Sequence, residues 1–271
     1  MEGDILVVLD LFSGAGGLSE GFFRIGASFV GHIESDKYAC EALKTRTAYW
    51  RLKKNNNMQP YYDYLLHKIS KQDLWKKAQI SDSQDVIHRE ISYATFDELV
   101  KIIKNNLKAK KLKNVDVIIG GPPCQAYSII GRAIMKKNIE KDPRNYLYKH
   151  YVNFIGTFKP KMFVFENVPG LKSAGNGKYF NDLQKAVENI GYTLKIKELV
   201  ASDYGVLQAR KRIIIVGFKG GNNKKHNYPN FETIANKKFF VRDILDDLPS
   251  ITPNAKIEGK RINIYCQATN I

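Results

Sequence analysis

Cysteine is scarce in this chain of 271 residues: Cys40, Cys124 and Cys266 are the full set. Thiols this few and this far apart make neither a disulfide framework nor a clustered zinc site, so no metal is expected. They suit a reducing, cytoplasmic compartment. Long hydrophobic runs are missing too. No stretch approaches the roughly 18 uninterrupted apolar residues that a membrane-crossing helix needs, so no membrane partner is expected. The amino terminus carries Glu2 and Asp4 and runs on into a strand pattern, which excludes a secretory leader as its reading. Acidic residues are in deficit. Asp and Glu number 27 against 43 Lys and Arg, a net charge of +16. An excess spread over a whole chain points to a polyanionic partner, with nucleic acid foremost.

What is present is an alternation of buried strands and helices. Ile5-Leu6-Val7-Val8-Leu9-Asp10-Leu11 is a strand pattern that runs directly into Phe12-Ser13-Gly14-Ala15-Gly16-Gly17. Apolar residues at helical spacing follow, over residues 18–25. Strand, glycine turn and helix form the first half of a nucleotide-binding unit, in which glycines let the backbone pass close to a ligand. A second strand, Ser28–Ile33, ends in Glu34, twenty residues after Gly14. A carboxylate there is placed to bridge ribose hydroxyls. Residues 45–85 are less orderly and suggest an inserted segment with some helix, either facing nucleic acid or a plain surface excursion. A weak third strand is expected over residues 86–91, and a helix from Thr95 to Leu107 with Thr95 as its cap.

The fourth strand, Val115–Ile119, leads into Gly120-Gly121-Pro122-Pro123-Cys124-Gln125-Ala126-Tyr127-Ser128. Free cysteines most often simply pack. This one sits at the carboxyl end of a strand, where open α/β sheets place their chemistry, behind two prolines that stiffen the backbone. The basic stretch 129–141 after it is a candidate lid. The fifth strand, Pro160–Phe165, ends in Glu166-Asn167-Val168 and faces the same crevice. Two more strands, Tyr192–Ala201 and Arg212–Phe218, are joined tightly enough to pair antiparallel. Between them Gln208, Arg210 and Arg212 alternate, so an extended backbone would project them to one face. Gly220–Lys225 has linker composition, and a short helix stopped by Pro249 follows.

Taken in order, Asp10–Gly17, Glu34, Gly121–Gln125, Glu166–Val168 and Gln208–Arg212 resemble the blocks of the DNA (cytosine-5)-methyltransferase family, over residues 5 to 220. The Ala126-Tyr127-Ser128 continuation is similar to bacterial restriction–modification members; the tRNA-modifying branch usually carries proline after the Cys-Gln pair. The resemblance implies an α/β, Rossmann-like, S-adenosylmethionine-dependent methyltransferase fold, with a mostly parallel seven-stranded sheet and an antiparallel strand. It implies a catalytic domain over residues 1–220, and a linker with the start of a target-recognition region over 221–271. It implies S-adenosylmethionine as cofactor and double-stranded DNA as partner, in a bacterial cytoplasm and associated with the nucleoid through DNA.

The resemblance also assigns residues. Phe12 stacks on adenine, the turn through Gly14, Ala15, Gly16 and Gly17 passes under the methionine part, and Glu34 holds the ribose. Ser13, Ser35 and Pro123 belong to the same pocket, and Glu90 is the nearest candidate for the acid that contacts adenine. Cys124 attacks the base, Glu166 protonates it, and Arg210 and Arg212 hold it, Arg212 also orienting Glu166. Gln125, Ser128, Arg132, Asn167 and Gln208 are the expected substrate contacts. The family's target-recognition region and its last block are not found before Ile271. Three readings therefore stand at this point: an enzyme by itself, an enzyme completed by a second chain, or a non-catalytic remnant that binds cofactor or DNA. A dehydrogenase would account for Gly14 and Glu34 but leave Cys124 without a task.

Overall fold

The computed structural model describes residues 5–80, 85–123 and 146–220, together with Tyr228 and Leu245. The chain divides into two compact units, Met1–Thr233 and Ile234–Ile271. Within the second, only Leu245 is described.

In the first unit, strands and helices follow one another as β1 (Val7–Leu11), α1 (Ser19–Arg24), β2 (Ser28–Glu34), α2 (Lys37–Lys54), α3 (Gln59–Leu65), α4 (Lys71–Lys77), β3 (Val86–His88) and α5 (Phe96–Ala109). They continue as β4 (Val117–Gly120), α6 (Leu147–Phe158), β5 (Met162–Asn167), α7 (Lys178–Asn189), β6 (Tyr192–Val200) and β7 (Lys211–Lys219). One seven-stranded sheet runs β3-β2-β1-β4-β5-β7-β6. The first five of these are mutually parallel; β7 pairs antiparallel with both β5 and β6.

The central strands β1 and β4 are buried at every position, as strands covered on both faces must be. Alternation along them sorts side chains by face. Leu9, Leu11, Ile118, Phe163 and Phe165 join the large core that also holds Leu99 and Ile103 of α5, Tyr151 and Phe154 of α6, and Leu183 of α7. Val8, Val117 and Ile119 face the other way and pack with Leu18, Phe22 and Phe23 at α1. Each fully buried Leu or Phe contributes about 1.5–3 kcal/mol by leaving water. Tyr151 adds a polar staple: its hydroxyl lies 3.1 Å from the Ile118 carbonyl oxygen and 2.9 Å from that of Val164, bridging β4 and β5.

From β1 the chain moves outward through β2 to β3, then returns to lay β4 on the other side of β1. The strand order therefore reverses between β1 and β4, and the loops at their carboxyl ends diverge to leave a crevice. A buried polar cluster anchors the first of these loops. Asp10 of β1 accepts hydrogen bonds from the hydroxyl of Ser19, the first residue of α1, and from His32 Nδ1 of β2 at 3.1 Å.

Several expectations change. Residues 45–80 hold orderly structure. The carboxyl half of α2 packs with α3 and α4 around a small core of Ala48, Leu52, Leu74, Trp75, Ala78 and Ile80. Apolar residues are too sparse there for the period to stand out, and caps do the defining: Asp36 accepts from Ala39 N at 2.7 Å, and Ser70 and Asp73 form a reciprocal capping box. The third strand stops at His88, so Glu90 lies beyond it. Thr95 occupies the cap position of α5 without capping. Its hydroxyl turns back to the Glu90 carbonyl at 2.6 Å. The expected lid over 129–141 and the short helix before Pro249 lie outside the described residues, Leu245 excepted.

Candidate active site

Phe12 follows β1 with φ at 54°, a left-handed conformation that side chains seldom adopt and that turns the chain sharply out of the sheet. The turn is pinned to the end of β2. Ser13 N donates to Ile33 O at 3.1 Å, and Gly14 N donates to Glu34 Oε2 at 2.8 Å. The other oxygen of Glu34 accepts from Ser35 N and Asp36 N, each at 2.8 Å. The carboxylate is thus fixed in direction by backbone donors, with lone pairs left for a ligand.

A cavity of about 510 Å³ opens at this place. Of the ten residues expected around a cofactor, Phe12, Gly14, Glu34, Ser35, Glu90 and Pro123 line it. The other four do not. The Ser13 hydroxyl turns to Asp10 O at 3.0 Å, Ala15 lines a separate cavity, Gly16 packs against α2, and Gly17 stands clear of the lining. The wall is completed by Ile33, Ile91 and Leu147, by Arg89 and Ser92, by Gly121 and by His150. This combination suits a ligand with a flat apolar part and vicinal hydroxyls: Phe12 and aliphatic side chains on one side, an oriented carboxylate on the other.

His150 and Leu147 were not anticipated from sequence. They sit three apart on one face of α6, in a stretch rich in tyrosine and phenylalanine. His150 is buried, the edge of its ring meets Tyr93 with centroids 4.4 Å apart, and its Nδ1 has no hydrogen-bond partner among the described residues. Burial pushes its pKa below the ordinary 6.5, against a smaller upward pull from Glu90. It therefore presents a neutral ring to the cavity wall.

The second part of the site grows from β4 and β5. Gly121 lines the cavity and also touches Glu166; a Cβ on Gly121 would lie 2.6 Å from Glu166 Oε2. Only glycine allows that approach. Glu166 is held from the other side by Arg212, whose Nε stands 2.7 Å from Oε1. Register explains the meeting: in the β5–β7 pair Glu166 lies opposite Ile214, so Arg212, two residues along β7, emerges on the same side. Asn167, expected against substrate, is 2% exposed and points inward. Its amide donates to Pro122 O at 3.2 Å and its Oδ1 accepts from Val168 N at 2.9 Å, so the side chain holds the proline loop.

Gln208 and Arg210 are exposed on the connection before β7. Arg210 N donates to Gln208 O at 2.8 Å, a tight turn that breaks the extended alternation read from sequence. Of the two arginines, Arg212 reaches Glu166 and Arg210 does not. Cys124, Gln125, Ser128 and Arg132 lie outside the described residues. Among the described residues no group of His, Cys, Asp and Glu could hold a metal, and no helix is long and apolar enough to cross a membrane.

A glycine turn under a cavity at a topological switch point, in a sheet of seven strands with an antiparallel β7, is the Rossmann-like fold of S-adenosylmethionine-dependent methyltransferases. A DNA modification methyltransferase encoded within an Escherichia coli prophage superposes with a TM-score of 0.58 at 25% identity, covering 91% of this chain and 56% of its own. A methyltransferase of Entamoeba histolytica shares the fold, with a TM-score of 0.54 at 17% identity. The family model of C-5 cytosine-specific DNA methylases matches residues 6–87 and 93–268, and the chain belongs to that family. A type II methyltransferase of Bacillus paralicheniformis is 37% identical over 92% of this chain, and one of Haemophilus parahaemolyticus is 33% identical over 80%. The chain spans 62% and 46% of the lengths of these two relatives.

Proposed function

We propose that this chain transfers a methyl group from S-adenosylmethionine to C5 of cytosine in double-stranded DNA, as the modification part of a restriction–modification system. The observation that carries the reading is the double contact of the proline loop. Gly121 and Pro123 line the ligand cavity, Gly121 also abuts the Arg212-bound carboxylate of Glu166, and Cys124 is the next residue in the chain. That neighbourhood supports a reading in which a nucleophile, an acid and a cofactor cavity serve one reaction. The net charge of +16 suits a polyanionic substrate.

Phe12 and Leu147 supply apolar surface for the adenine, Glu34 the acceptor for the ribose hydroxyls, and the cofactor, when bound, supplies an electrophilic methyl group. The work of the protein is on the cytosine. Its C5 is a poor nucleophile until the Cys124 thiolate adds to C6, which makes C5 enamine-like. A free thiol has a pKa of about 8.5, so at neutral pH only a minor fraction is ready to add. Addition places negative charge on the ring, and a proton or strong hydrogen bond to N3 from Glu166 in its carboxylic acid form offsets it. Arg212 keeps that carboxyl in direction, and Asn167 keeps the loop before Cys124 in place. Once C5 carries the methyl group, its proton passes to solvent water, and the electron pair left behind re-forms the C5–C6 double bond as the C6–S bond breaks and the Cys124 thiolate leaves. A stacked base exposes none of these atoms, so the cytosine must leave the helix.

The test is covalent trapping. Duplex DNA containing 5-fluorocytosine is incubated with cofactor and the protein, alone and with a candidate complementing chain. The adduct blocked at C5 should survive denaturing electrophoresis with the wild type and be absent for Cys124→Ser, which should still bind cofactor. Methyl transfer by Cys124→Ser at the wild-type rate would falsify the mechanism.

A further inference from the structure

The helices that sequence left disorderly reach the glycine turn through α2. Arg46 projects from the middle of α2 towards the glycine turn. Its Nε donates to Ala15 O at 3.1 Å, and its Nη1 to Glu20 Oε2 at 2.5 Å. Glu20, in the first turn of α1, also accepts from Trp50 Nε1 at 3.1 Å and from Arg24 Nε at 3.3 Å. Burial works to raise the Glu20 pKa, but the bonds from Trp50 and Arg46 outweigh it and hold the carboxyl below its usual value.

The same helix fills the space beside Gly16. A Cβ on Gly16 would lie 2.7 Å from Leu43 Cδ2 and 3.0 Å from Arg46 Cδ, and its φ of +81° excludes most side chains anyway. The turn is thus gripped at a carbonyl and at a missing side chain by one face of α2. The opposite face is braced by α4: Lys71 pairs with Glu41 at 2.5 Å, and Trp75 Nε1 donates to Thr45 Oγ1 at 3.1 Å. Arg51, farther along α2, binds Asp85 at 2.5 Å and Gln79 O at 2.6 Å instead of the glycine turn.

We propose that Arg46 is a positioning residue for the cofactor: it sets where the glycine turn sits, and so couples the α2–α4 layer to cofactor affinity. This rests on the reading that the cavity lined by Phe12, Gly14 and Glu34 takes S-adenosylmethionine. Gly14 lies one residue before Ala15, and its N–H is bonded to Glu34. A turn released at Ala15 carries Gly14 and its partner carboxylate away from a ligand's ribose. The arginine never needs to touch the ligand.

The experiment is calorimetric titration of the full chain with S-adenosylhomocysteine, a stable product that needs no DNA and no turnover. Thermal melting of the unliganded proteins runs beside it. Arg46→Ala should weaken binding about tenfold, as expected for loss of a charge-assisted bond at a half-buried position. Arg46→Lys keeps the charge beside Glu20 and should recover part of that loss. Arg51→Ala should lower the melting temperature yet leave affinity unchanged. Unchanged affinity in Arg46→Ala overturns the proposal, and so does an equal loss in Arg51→Ala, which would reduce the effect to general loosening of the layer. A wild-type chain that does not bind S-adenosylhomocysteine overturns the cofactor reading itself, and this proposal with it.

Discussion

Gly121→Ala is the smallest change that should separate folding from catalysis in this protein. A Cβ at that position falls 2.6 Å from Glu166 Oε2 and 3.2 Å from Glu166 O, whereas ordinary contact begins at 3.4 Å. The carboxylate and the loop must therefore part by about 0.8 Å, the difference between 3.4 and 2.6 Å. Neither is free to move. Arg212 holds the carboxylate at 2.7 Å, and Asn167 holds the loop through Pro122 at 3.2 Å. The shift lengthens the Arg212 contact from 2.7 Å towards about 3.5 Å or the Pro122 contact from 3.2 Å towards about 4.0 Å. Overpacking of this kind costs about 1–3 kcal/mol of stability. Misplacing a reacting group by about 1 Å costs about 100-fold in rate. The variant should remain folded, with a melting temperature a few degrees lower, and should transfer labelled methyl groups to duplex DNA about 100-fold more slowly. A folded Gly121→Ala protein working at the wild-type rate would show that the contact between the proline loop and Glu166 has no part in the reaction.

Asn167→Ala removes the donor to Pro122 O inside the protein and should cost about 1–3 kcal/mol, measurable by denaturant unfolding, together with a fall in turnover; unaltered turnover would leave Asn167 a purely structural residue. His150→Phe bears on pH. Burial, opposed in part by Glu90, depresses the His150 pKa below 6.5, so the folded state favours the neutral ring, and its contribution to stability is present above that value and lost as pH falls. Melting temperatures taken from pH 7.5 down to 5.5 should therefore decline less steeply in the variant than in the wild type, and parallel curves would contradict the assignment.

The order strand, glycine turn, strand, acid was legible because those residues are close in sequence and each answers a local demand. A buried strand needs β-branched and leucine side chains, a turn beneath a ligand needs glycine, and a carboxylate at the next strand end follows from parallel pairing alone. The family resemblance could be read for the same reason, since its blocks are short and local. What the sequence left dark depended on partners distant along the chain. The family resemblance implied that Arg212 orients Glu166, but the contact itself needs β7 inserted between β5 and β6, across 46 residues, and no local pattern distinguishes Arg212 from the exposed Arg210. Asn167 resembled a substrate contact until the fold turned its amide inward to Pro122. Arg46 lay in a stretch read as less orderly until α2 laid it against Ala15, thirty-one residues earlier. Short-range conformational preference wrote the walls of the cavity; only long-range register and packing decided which side chains brace them, because those contacts exist only once the sheet has closed.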